Sequence, residues 1–121
     1  GNEIGFMGFN AVLRDYARLG IMMAQQGRYG GKQVIPLDWW REMTRPHFKP
    51  AQTGRWFGYG FQTWVFPNND GSFAFLGVRG QSLFVDPVKK LVLVQTAVRP
   101  LARDPGSADT NALWRAFQKI E

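Results

Sequence analysis

The chain has 121 residues, of which 45% are hydrophobic and 15% aromatic, and its fifteen Lys and Arg against nine Asp and Glu give a net charge of +6. That length and apolar content suit one compact domain over residues 1–121 and argue against intrinsic disorder. Cysteine is absent, which excludes disulfides, thiolate catalysis and Cys-bearing zinc sites.

The opening GNEIGFMGFN has neither a basic n-region nor an apolar h-region, so it carries no signal-peptide pattern. Asn10 is the expected N-cap of a first helix over about 11–26, because its side-chain oxygen can accept from an early helical N–H. Val12, Tyr16, Leu19 and Met23 follow at helical spacing. Beside them Leu13, Ala17, Gly20 and Ala24 form a stripe of mostly small residues that would let another backbone come close. Gly27 is the expected stop. RYGGKQVIP reads as a loop or short extended link, and Pro36 opens a short helix carrying Leu37, Trp39, Trp40 and Met43. Pro46 and Pro50 exclude much regular structure from 45 to 55.

From Trp56 the character changes to strands. GYGFQTWVF, SFAFLG, QSLFVDP and KKLVLVQTAV are rich in aromatic and β-branched residues and are separated by the turns PNNDG, GVRG and DPVKK. Gly58 and Gly60 leave one face of the first strand bare, which calls for a packed helix or a ligand close by. DTNALWRAFQKIE closes the chain as a second amphipathic helix, capped by Asp109 or Thr110, with Leu113, Ala116, Phe117 and Ile120 on one face. The expected fold is α+β: an antiparallel sheet of three to four strands flanked by an N-terminal and a C-terminal helix.

Few residues offer chemistry. His47 is the sole histidine, in the Pro-flanked RPHFKP, and reads as a solvated loop side chain. Ser72, Ser82 and Ser107 are the only serines, and none lies in G-x-S-x-G or S-x-x-K. Asp15 with Arg18 is a surface helix pair, and Asp86 before Pro87 a turn residue. No metal site and no cofactor motif is visible. The basic residues are spread over every segment, with Lys89-Lys90 as the longest run, so no specific nucleic-acid surface is expected. No apolar run approaches the ~20 residues of a membrane span. The turn Gly77-Val78-Arg79-Gly80-Gln81 stands apart. Its glycines admit either a tight connection with positive φ or main-chain N–H groups that point outward and stabilise an oxyanion.

Taken together, GFNAVLRDYARLGIMMAQQGRYGGKQVIPLDWWREM, YGYGFQTWVF and FAFLGVRGQSLFVDPVKKLVLVQTAV resemble the C-terminal part of the β-lactamase-related serine hydrolases. That superfamily includes class C β-lactamases, penicillin-binding esterases and 6-aminohexanoate-dimer hydrolases, and the resemblance runs from about Gly5 to Glu121. It implies the C-terminal part of a β-lactamase/transpeptidase-like fold and acyl transfer through an acyl-enzyme. The family's nucleophilic Ser and its Lys lie in S-x-x-K, and a Tyr lies in Y-x-N/S. Neither motif is here: Tyr16, Tyr29 and Tyr59 are followed two positions on by Arg, Gly and Phe. The chain is therefore expected to be inactive alone, its partner being the N-terminal part of the same parent chain.

The family's K-T-G or H-x-G element corresponds to Gly77-Val78-Arg79-Gly80, where the Lys or His is missing, so an amide or ester is the implied small-molecule substrate rather than a β-lactam. By the same resemblance the Val78 amide is the second oxyanion donor, with Gly77, Arg79, Gly80 and Gln81 lining the cleft. A bacterial periplasmic or cytoplasmic setting would both fit. Strand edges and helix faces left uncovered are expected to make the chain self-associate. The competing reading is a free-standing basic binding or regulatory module without catalysis.

Overall fold

The computed structural model describes residues 7–67, 70–102 and 106–120. Most of the stretch read for a signal pattern, Asn68 and Asn69 of the PNNDG turn, and the closing Glu121 lie outside the described residues. Helix α1 (Leu13–Ala24) leads to a small hairpin, β1 (Arg28–Tyr29) and β2 (Lys32–Gln33), then to α2 (Leu37–Thr44) and the single turn α3 (Pro50–Thr53). Five strands follow, β3 (Gly58–Tyr59), β4 (Trp64–Val65), β5 (Phe73–Leu76), β6 (Ser82–Asp86) and β7 (Leu91–Gln95), before α4 (Ser107–Phe117). They pair in chain order as one antiparallel sheet. The α+β architecture is as expected, with one strand more than the three to four read from the sequence.

The added strand comes from GYGFQTWVF, which is a hairpin rather than a single strand. Gln62 sits at φ 59°, and the Gly60 N–H donates to Thr63 O at 2.8 Å, so the chain reverses between β3 and β4. The bare glycine face is filled by backbone and not by a ligand. A Cβ on Gly60 would lie 2.8 Å from Arg45 O, and one on Gly58 would lie 3.0 Å from Phe48 O. Phe48 also bridges Tyr59, exchanging N–H···O bonds of 3.0 and 2.8 Å, which seals the outer edge of β3. This docking corrects the solvated reading of His47. Its side chain is only 22% exposed, its ring stacks on Phe61 at 4.3 Å, and Nε2 lies 2.9 Å from Glu42 O.

Alternation along the strands gives the sheet two apolar faces. Phe73, Leu83 and Val85 pack with Met23 and Ala24 of α1 and Trp40 of α2, while Val92 and Val94 flank them. Ala74 and Phe84 on the opposite face pack with Phe57, Phe66 and Trp114 of α4. The small stripe on α1 does what its composition suggests. Gly20 lies so close to β7 that a Cβ there would run into the Val92 side chain. The start of α1 differs from expectation: Val12, not Asn10, is the N-cap, and the Asn10 side-chain amide donates to Gly8 O.

Helix α4 turns a different face inward than its apolar residues suggest. Gly106 is its N-cap, so Asp109 and Thr110 are helical and cap nothing. Leu113, Phe117 and Ile120 are 46%, 38% and 64% exposed, whereas Thr110 and Trp114 are buried and Gln118 is partly so. The inward positions are polar at both ends. The Thr110 hydroxyl donates to Gln95 Oε1 at 3.2 Å, and Gln118 Nε2 donates to Asp86 Oδ2 at 2.9 Å. Trp114 lies between them, stacked on Phe84 with ring centroids 5.3 Å apart. No helix among the described residues is long and apolar enough to cross a membrane.

Candidate functional site

Strands β5 and β6 are joined by the turn 77–81, which lies beside the segment 95–100 and the first turn of α4. Two chemically different reasons put glycine at its ends. Gly80 has φ +92°, and a Cβ there would meet the Arg99 side chain at 2.7 Å. At Gly77 the obstruction is Gln81: an added Cβ would lie 2.8 Å from the Gln81 Cβ and closer still to its side-chain oxygen Oε1.

The amides of the turn divide into two groups. The Gly77 N–H donates to Gln81 O at 2.8 Å, and the Arg79 N–H donates to Gln81 Oε1 at 3.1 Å. Between them the Val78 N–H has no acceptor among the described residues, and neither has the Gly80 N–H. Val78 is 69% exposed. A main-chain donor held in a turn and left unpaired at the surface is suited to an anionic oxygen, since it needs no reorganisation to donate.

Side chains fasten this turn to its surroundings. Gln81 Nε2 donates to Ala97 O at 2.8 Å and Gln95 Nε2 to Gly80 O at 3.1 Å. Arg79 Nη1 donates to Arg99 O at 3.1 Å and Pro100 O at 2.5 Å, while the Arg99 N–H returns a bond to Arg79 O at 3.0 Å. Arg99 Nη2 in turn donates to Thr110 Oγ1 at 2.7 Å.

A cleft of about 760 Å³ opens on the α4 side of the sheet. Gly77, Val78, Gly80 and Gln81 line one part of it, Trp56, Phe57 and Trp64 another, and Ser107, Thr110 and Asn111 of α4 a third. Arg79 is not among its lining residues, because its guanidinium is spent on the 99–100 carbonyls. Arg55 and Arg99 are at the cleft, and among the described residues no acidic side chain lines it. Arg55 lies over the Trp64 ring, 4.9 Å from the centroid.

Nucleophilic chemistry has no support from the serines. Ser72 is fully buried, its hydroxyl donating to Asp70 Oδ1 at 2.6 Å. Ser82 and Ser107 line the cleft, but among the described residues no Lys, His, Asp or Glu lines it with them. Asp86 is the turn residue its sequence suggests, accepting from the Val88 and Lys89 amides at 3.0 and 2.9 Å. The Gly-Val-Arg-Gly turn was visible in the sequence, whereas Arg55, Arg99 and Thr110 were not. They come from three distant segments and carry no spacing signal.

Comparison with known proteins agrees in sequence and in fold. The chain is 29% identical over 100 residues to the 6-aminohexanoate-dimer hydrolase of Paenarthrobacter ureafaciens, an alignment covering 77% of this chain and 26% of that enzyme. A solved structure from Bacillus anthracis, provisionally described as a 6-aminohexanoate-dimer hydrolase, superposes with a TM-score of 0.65 and 27% identity. That superposition covers 89% of this chain and 28% of the other. The chain thus spans about a quarter of the length of these relatives. No family model matches it. The likeness to β-lactamase-related serine hydrolases holds at both levels, and the α+β architecture matches the C-terminal part of a β-lactamase-like fold.

Proposed function

We propose, with the likeness to β-lactamase-related serine hydrolases as premise, that this chain is the C-terminal, oxyanion-side portion of a hydrolase for small-molecule amides or esters. The observation that carries the reading is the unpaired Val78 amide in a turn whose neighbouring N–H groups are both taken by Gln81. A serine from the N-terminal part of the parent chain attacks the carbonyl and its proton passes to the leaving amine or alcohol. The carbonyl oxygen meanwhile gains charge, and Val78 donates to it. Water then attacks the acyl-enzyme and releases the acid. Gly77, Gly80 and Gln81 shape the cleft at that point. Arg79 acts by tying down residues 99–100, and no cofactor takes part.

Two further observations support a parent partner. Among the described residues no serine at the cleft has a base beside it, which favours a nucleophile supplied from elsewhere. Among the described residues strand β7 pairs only with β6 and leaves an apolar edge, Leu91–Gln95, open to another strand. Alone, the chain is expected to cover that edge with a second copy. Light scattering across a concentration series should show growth in mass, and a monomer at every concentration would count against it.

The activity test uses a p-nitrophenyl ester and a fluorophosphonate probe. The 121-residue chain should neither turn over nor label, while a longer chain that adds the S-x-x-K-bearing portion should do both. Labelling of Ser82, Ser72 or Ser107 in the short chain would sink the reading.

A further inference from the structure

We infer that Gln81 is the positioning residue of this site, occupying the amides on either side of Val78 so that the Val78 N–H is held free to donate. The inference rests on the proposed role of Val78 and goes beyond it by assigning Gln81 to the turn rather than to the substrate.

Gln81 engages the turn with three polar groups at once. Its main-chain oxygen accepts from the Gly77 N–H, and its side-chain oxygen accepts from the Arg79 N–H. Its Nε2 donates to Ala97 O, beyond the end of β7. The two acceptors take the amides on either side of Val78 and leave the N–H between them without a partner. A two-residue spacing matters here, because successive peptide units of a tight turn point in different directions. Fixing the peptides before and after Val78 leaves its own N–H little freedom to rotate toward Gln81.

The same side chain accounts for the first glycine. Gly77 has no positive φ to require glycine, yet a Cβ there would overlap Gln81 from its β-carbon to its amide oxygen. Gly77 is therefore small so that Gln81 can lie across it. Two substitutions should thus act alike: Gly77→Ala by pushing Gln81 off the turn, and Gln81→Met by keeping its bulk while removing the acceptor. Gln81→Glu separates the two arms, since its carboxylate still accepts from Arg79 but no longer donates to Ala97.

Amide exchange in the 121-residue chain, followed residue by residue by NMR, tests the clamp without any catalysis. The Arg79 amide should exchange about tenfold faster in Gln81→Met, the loss of one hydrogen bond worth roughly 1.4 kcal/mol. Gln81→Glu should retain its protection, and Gly77, bonded to the main chain, should stay protected in both. An Arg79 amide unmoved by Gln81→Met overturns the clamp. The second measurement is ester hydrolysis by the longer chain, where Gln81→Met should lower kcat with little change in KM and Gln81→Glu should largely restore it. A faster Arg79 amide with kcat unchanged would instead overturn the oxyanion role of Val78, so the two failures are distinguishable.

Discussion

Trp114→Ala should cost about 3–5 kcal/mol of folding stability, the range for removing a large buried aromatic from a core that cannot collapse around the gap. Trp114 is 2% exposed and stacks on Phe84, which is 1% exposed. With Phe84, Ala74, Phe57 and Phe66 it makes up the buried apolar layer between α4 and the sheet among the described residues. A domain of this size has only ~5–15 kcal/mol of stability in all, so the loss would be a large fraction of it. The indole N–H adds a second expectation, because it is buried without a partner among the described residues. Trp114→Phe removes that unsatisfied donor along with some volume, so it should cost much less than Trp114→Ala. Urea unfolding followed by circular dichroism measures both, and equal losses in the two variants would show that the indole nitrogen is not a liability. A negligible loss in Trp114→Ala would mean that α4 is not docked as described.

Val78→Pro, placed in the longer chain that carries the nucleophile, should lower kcat on ester substrates by about 10²–10³, the usual cost of one oxyanion donor. Proline is the direct probe here because it deletes the N–H, at the cost of restricting Gly77 before it. Val78 is 69% exposed, so its side chain contributes little packing, and its φ is not positive. Its amide also gives no hydrogen bond to the described residues, so none is lost on substitution. Val78→Ala keeps the N–H and should retain most of kcat. A Val78→Pro enzyme with wild-type kcat would rule out this donor and turn attention to the Gly80 amide, which has no acceptor among the described residues.

The parts of the fold that the sequence reveals are those governed by local rules. The small stripe of α1 and the strand-turn alternation from Phe73 to Gln95 follow from residue type and spacing, whereas α1 ends at Ala24 with Gln26, not Gly27, in the first left-handed position after its Gln25 cap. Helix α4 was misread because hydrophobic periodicity ranks Leu113, Phe117 and Ile120 above Thr110 and Gln118. The inward face is decided instead by hydrogen bonds to Gln95, Asp86 and Arg99, residues on other elements. GYGFQTWVF fails for a related reason: a Gln with positive φ gives no composition signal for the turn it makes. His47 reads as a solvated side chain until Phe61 is folded over it. Of the candidate site, the paired glycines and the family resemblance disclose the turn, but the division of its amides depends on where Gln81 points.

The two borders of the five-stranded sheet are unlike. Phe48 has already taken the outer backbone groups of Tyr59, while Leu91–Gln95 offers its own to whatever comes. The sheet consequently has a direction of growth. A complementary strand supplied as a separate peptide is expected to dock beside β7 rather than beside β3.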